Sequence, residues 1–148
     1  MYKKILIPTD GSELANKGVA HGLDLAKAVG ASVVLVSVTE IWSGLDMASK
    51  VETGKQNPVE LFEAAADRTA DEILAAAATM AGTAGVAFET IHVRDREPAV
   101  GIMETADMQD CDLIVMASHG RRGLGRMLLG SQTAEVLAFS KVPVLVLR

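Results

Sequence analysis

Residues 3–38 read KKILIPTDGSELANKGVAHGLDLAKAVGASVVLVSV. The first apolar run is closed by Pro8 and Asp10, which predicts a buried strand from Lys4 to Thr9. Gly11 follows, then Ser12, whose hydroxyl suits a helix N-cap. Leu14, Gly18, His21, Gly22, Leu25 and Val29 recur at helical spacing, and Gly30 predicts the helix stop. The run ASVVLVSVTE is near-continuously apolar, as parallel strands covered on both faces are. Strand, helix and strand at this spacing form a βαβ unit, expected to be right-handed.

The same alternation continues to the end of the chain. Residues 40–57, EIWSGLDMASKVETGKQN, form a long polar loop that includes Trp42, the only tryptophan. Loops this long are uncommon in compact domains and are usually functional or mobile. Asn57, Pro58, Val59 and Glu60 supply an N-cap, a first-turn proline and an early acid, so a second helix starts there. Its inward residues read as Leu61, Ala65, Ile73, Ala77 and Met80, and its end as near Gly82. VAFETIHV is a third strand. Glu97-Pro98 opens a short helix with Ile102, Met103 and Ala106 inside. CDLIVMAS is a fourth strand, Ser131 to Ser140 a fourth helix, and VPVLVLR a fifth strand.

Five strands alternating with four helices predict a doubly wound, Rossmann-like α/β sheet in one domain over residues 1–148. The expected strand order is 3-2-1-4-5, with helices on both faces. Ligands of such sheets sit beyond the carboxyl ends of the strands, where the order reverses. Strands one and four flank that point, so Asp10 and the segment after strand four converge on it.

Composition narrows the function. The chain is 49% apolar and 22% charged, an ordinary composition for a soluble domain, and only 3% aromatic, so its core must be aliphatic. The net charge of −5 argues against partners held by excess Lys and Arg, namely nucleic acid and anionic membranes. Cys111 is the only cysteine, which excludes an intrachain disulfide and a cysteine-based metal site. The N-terminal apolar run is too short for a signal peptide, and ILAAAATMAGTAGVAF is too short and polar to span a bilayer. A cytoplasmic protein is expected.

Residues 116–131, MASHGRRGLGRMLLGS, hold four glycines and three arginines between two apolar runs. They are not a Walker loop, which needs Gly-Lys-Ser/Thr after its glycines. They are not a dinucleotide fingerprint, which belongs directly after strand one. The G-x-S-x-G elbow of α/β-hydrolases is absent as well. A flavodoxin-like FMN carrier would need aromatic flanks and a phosphate loop after strand one, and this chain has neither.

The stretch does resemble the nucleotide-binding motif of universal stress proteins: glycine, two residues, glycine, nine residues, glycine, then Ser or Thr. The corresponding positions are Ala117, Gly120, Gly130 and Ser131. ILIPTDGS, CDLIVMASHG and VPVLVLR also resemble the family, and only about Ile41 to Gln56 is unmatched. The one departure is Ala117, which replaces the first glycine. At negative φ that replacement costs little; at positive φ it costs roughly 1–2 kcal/mol.

The resemblance implies an ATP site. Gly120 and Gly130 would let the backbone approach phosphate oxygens. The Ser131 hydroxyl and the N–H groups of Gln132 and Thr133 would face the anion at a helix N-terminus. Arg121 and Arg122 would add charge-assisted bonds. Asp10 would accept from the ribose hydroxyls, Pro8 and Thr9 would line the adenine side, and the Val38 backbone would bind the adenine edge. Met116 and His119 complete the expected lining. Mg²⁺ or Mn²⁺ would be held mainly by the phosphates, because no ligand cluster is visible. The resemblance also implies a homodimer through strand five, Val142 to Leu147, an apolar edge that needs covering.

Simpler roles stand beside these. Ser131 and Asp10 also suit helix and turn caps, and Arg121, Arg122 and Arg126 a solvated loop. His119 suits local bonding, His21 and His92 read as residues without a role, and Cys111 reads as an inert buried thiol. Three functions therefore remain open: an ATP-binding regulatory protein of the stress-response type, a nucleotide-free dimeric interaction protein, and a slow ATPase or self-phosphorylating enzyme.

Overall fold

The structure, a computed structural model, describes residues 1–40, 58–120 and 129–148. Trp42, the Asn57 cap, Arg121, Arg122 and Arg126 lie outside the described residues. The elements are β1 (Lys4–Pro8), α1 (Glu13–Val29), β2 (Ser32–Val38), α2 (Pro58–Ala84), β3 (Phe88–Val93), α3 (Pro98–Met108), β4 (Leu113–Ala117), α4 (Ser131–Phe139) and β5 (Val144–Leu147). All strand pairings are parallel, in the order β3-β2-β1-β4-β5. This is the predicted doubly wound sheet.

The period of two in the strands divides the core into two layers. Ile5, Ile7, Val33, Leu35, Leu113 and Val115 pack against α1 and α2 on one face. Leu6, Val34, Val36, Ile114 and Met116 pack against α3 and α4 on the other. The chain moves outward from β1 to β3 on the first face and from β4 to β5 on the second. Reversing direction and face together keeps one crossover hand throughout.

Local chemistry sets the ends of α1. The Ser12 hydroxyl accepts the Ala15 N–H at 3.2 Å, as the N-cap reading expects. Gly30 terminates the helix at φ 74°, a conformation that costs glycine nothing. Glycine also matters inside α1. A Cβ on Gly22 would collide with the Ile7 side chain and lie 3.4 Å from Val115 Cγ1, so the helix axis sits close to the sheet.

Three readings need correction. The buried stripe of α1 is Ala15, Gly18, Val19, Gly22, Leu23 and Ala26; Leu14, Leu25 and Val29 are half-buried and His21 is exposed. In α2, Leu61 and Ala65 are exposed, and the buried positions are Ala70, Leu74, Ala77 and Ala81. Both helices are rich in alanine on several faces, so hydropathy alone leaves the inward direction loose by one position. The third correction is the end of α2, at Ala84 rather than Gly82, because the left-handed residue is Gly85, φ 73°. Cys111 is buried as expected, and burial pushes its thiol up to about 11, which keeps it protonated near neutral pH.

Candidate functional site

β1 and β4 are neighbours, and the chain leaves them toward opposite faces of the sheet. A crevice therefore opens beyond their carboxyl ends. A cavity of about 590 Å³ occupies it, within the ordinary size of small-molecule sites. Pro8, Thr9, Asp10, Val38, Met116, Ala117, His119, Gly120, Gly130, Ser131, Gln132 and Thr133 all line it. These are all the sequence-predicted site residues that fall among the described ones.

The β1 side of the cavity is a run of turn bonds. Thr9 Oγ1 accepts the Gly11 N–H at 3.2 Å, and Asp10 Oδ1 accepts the Ser12 N–H at 2.9 Å. Asp10 thus caps the turn with one carboxylate oxygen, as its simpler role requires. Its other oxygen, Oδ2, lies beside the Cα of Gly120. β1 ends at Pro8, paired with Val36, so Val38 extends beyond it with no β1 residue opposite. The Val38 peptide edge therefore borders the cavity.

The β4 side is held by bonds that the sequence did not disclose. The Gly130 N–H donates to Ser118 O at 2.7 Å, and Thr133 Oγ1 donates to Ala117 O at 3.0 Å. Together they pin the first turn of α4 to the end of β4. Gln132 Oε1 accepts the Ala99 N–H at 2.8 Å, which joins the N-termini of α3 and α4. The N-cap of α4 is Gly130, so Ser131 is the first helical residue and not the cap. The N–H groups of Ser131, Gln132 and Thr133 stand in the first turn, where a helix has no carbonyls to offer them. With the helix dipole behind them they make a surface suited to an anion.

Ala117 lies in β4 and is not among the positive-φ residues, so alanine causes no backbone strain there. Neither motif glycine is kept for a left-handed φ. Gly130 has φ −68°, and a Cβ on it would lie 3.1 Å from His119 Cα, His119 Cβ and Ser118 O. Close approach of backbone to backbone explains this glycine. His119 Nδ1 meets Ser118 Oγ at 3.0 Å, the local bonding expected of it.

The remaining wall was missed in the sequence. Phe62, Ala66, Thr69, Ala70 and Ile73 of α2 line the cavity, together with Thr39, Glu40, Pro98 and Ile102. The α2 residues recur at helical spacing one position after Leu61 and Ala65, and that spacing was the available signal. Among the described residues no three His, Cys, Asp or Glu side chains converge as a metal site. No helix of the described residues is long and apolar enough to cross a membrane.

Comparison with known proteins bears on the family and the fold. The family model described as the universal stress protein family matches residues 1–148. Universal stress protein MJ0531 of Methanocaldococcus jannaschii is 34% identical over 148 residues, covering 100% of this chain and 83% of the relative. Among solved structures, MJ0577, a protein of the same organism, is 30% identical with a TM-score of 0.77, covering 99% of this chain and 96% of that one. A universal stress protein solved in complex with cAMP is 24% identical with a TM-score of 0.68, covering 99% and 97% of the two chains. The fold, the match along the full chain and the relatives agree: this chain belongs to the universal stress protein family.

Proposed function

We propose that this protein binds ATP at the crevice between β1 and β4 and acts as a regulatory protein of the stress-response type. The observation that carries the reading is the convergence on one cavity, beside the N-terminus of α4, of twelve residues expected at the site from the family resemblance. The neighbour in complex with cAMP supports an adenine nucleotide as the ligand class. In this reading the Val38 peptide edge meets the adenine, Asp10 takes the ribose hydroxyls, and the first turn of α4 takes the phosphates. Arg121 and Arg122 add positive charge. Mg²⁺ or Mn²⁺ is held mainly by the phosphates, which suits a cavity whose described residues form no cluster of three metal-ligating side chains. Among the described residues, the titratable side chains lining the cavity are Asp10, Glu40 and His119, and His119 is bonded to Ser118. Hydrolysis is therefore expected to be slow.

The reading extends to a cytoplasmic homodimer. β5 is an edge strand of the sheet among the described residues, with Leu145 36% and Phe139 71% exposed. A second copy pairing along Val142 to Leu147 would satisfy that edge and extend the sheet.

Titration calorimetry with Mg-ATP tests the ligand assignment. The wild-type protein should bind, and Gly130→Ala should weaken binding by about tenfold or more, since its Cβ must push Ser118 and His119 aside. No heat of binding at millimolar ATP would favour the nucleotide-free interaction protein instead. Phosphate release well above background that disappears with Gly130→Ala would favour the slow enzyme.

A further inference from the structure

Gly120 stands in the family motif as a residue that admits phosphate. Its surroundings assign it a different task. A Cβ built on Gly120 meets Asp10 Oδ2 inside van der Waals contact and lies 3.4 Å from Asp10 Cγ; beyond its chain neighbours, no other described residue comes within 4 Å. The space that glycine leaves empty is therefore filled from within the protein, by the Asp10 carboxylate. The other oxygen of that carboxylate is tied to the Ser12 N–H at 2.9 Å. One oxygen thus bonds the turn while the other lies over Gly120. Both residues line the same cavity.

We propose that Gly120 is a positioning residue for Asp10. The missing side chain makes a notch that seats the carboxylate, and the seated carboxylate selects ligands with a vicinal sugar diol over bare phosphates. The consequence for ligand choice rests on the nucleotide reading above; the notch does not. A methyl group at residue 120 is accommodated most cheaply by swinging the Asp10 carboxyl, the end of a side chain, rather than by moving backbone. That swing breaks the Asp10–Ser12 bond and removes the acceptor from the crevice.

The test has a ligand-free arm and a ligand arm. In the ligand-free arm, amide hydrogen exchange of Ser12 is measured by NMR in wild type, Gly120→Ala, Asp10→Ala and the double variant. Gly120→Ala should speed Ser12 exchange by about tenfold, the loss of one hydrogen bond. Adding it to Asp10→Ala should change nothing further. Unchanged Ser12 exchange in folded Gly120→Ala would overturn the notch, whatever the protein binds. In the ligand arm, calorimetry compares ATP with inorganic tripolyphosphate. Gly120→Ala should weaken ATP by about tenfold in the Asp10 background, leave it within about twofold in the Asp10→Ala background, and leave tripolyphosphate unaffected. Equal losses for both ligands would return Gly120 to the phosphates and overturn the positioning role. If wild type binds no ATP while Ser12 responds as expected, the nucleotide reading fails and the notch stands.

Discussion

Ala117 is the residue at which this chain departs from the family motif, and the backbone explains why the departure is tolerated. It lies in β4 with its carbonyl held by Thr133 Oγ1 at 3.0 Å. That conformation suits any L-residue, so glycine holds no conformational advantage there. Ala117→Gly should bind ATP as well as wild type or somewhat more tightly, because only a methyl group on the cavity wall is lost. Calorimetry that finds strongly weakened binding would mean the methyl contacts the ligand. Ser131 teaches a related lesson. A serine before a helical pattern reads as a cap, yet Gly130 occupies the cap and leaves the serine hydroxyl at the cavity.

At the scale of elements, glycines divide by what lies above them. Gly22 of α1 faces the Ile7 side chain, whereas a Cβ on Gly82 of α2 would meet nothing within 4 Å. Gly22→Ala should destabilise by about 1–3 kcal/mol through overpacking. Gly82→Ala should stabilise by roughly 0.5–1 kcal/mol through lower chain entropy. Urea denaturation of both variants checks the contrast, and equal effects would refute it. The α2–β3 contact carries a pH dependence. His92 of β3 meets Thr39 Oγ1 through Nε2 at 2.9 Å, and its Nδ1 is buried without a hydrogen bond, 3.7 Å from Asp67. Asp67 is itself bonded to Arg94 at 2.7 Å. Burial first, then the Arg94 charge, lower the His92 pKa from 6.5, against the pull of Asp67 and Asp71. A lowered histidine pKa means that the unfolded chain binds the proton better. Stability is therefore complete above the ordinary value of 6.5 and declines as pH falls below it toward the lowered value. His92→Gln should flatten that decline; thermal melts at about pH 7.5 and 5.5 bracket the ordinary titration range of histidine. An unchanged slope would assign the acid sensitivity elsewhere.

Across the whole molecule the sheet has two edges of different character. β3 reads FETIHV, and its exposed Glu89 and Thr90 are polar residues that discourage pairing. β5 reads VLVL, with Leu145 36% exposed. Val144 and Val146 are half-buried against the α3–α4 layer, so charging them would damage the core rather than report on assembly. Leu145→Lys is the cleaner probe. Wild type should sediment as a dimer at high micromolar concentration, and Leu145→Lys should be a folded monomer. A wild-type monomer at that concentration would remove the β5 interface.

Much of the molecule was legible in the chain because its signals are local. The short apolar runs of the strands, the helical spacing between them and the punctuation by Ser12, Pro58 and Gly30 are properties of neighbouring residues, and they specified element order and sheet class. The spacing of Ala117, Gly120, Gly130 and Ser131 likewise pointed to the family, and the resemblance to half of the described residues that line the cavity. The inward faces of α1 and α2 were not legible to within one residue, because alanine satisfies either orientation and only packing against the sheet chooses. Nor were the bonds that shape the site. Thr133 reaches Ala117 across 16 residues, and Gln132 reaches Ala99 across 33. Asp10 and Gly120 meet only because β1 and β4 become neighbours at the centre of the sheet. Those contacts depend on where the strands lie side by side, and strand adjacency between distant segments is decided by burial of the whole sheet.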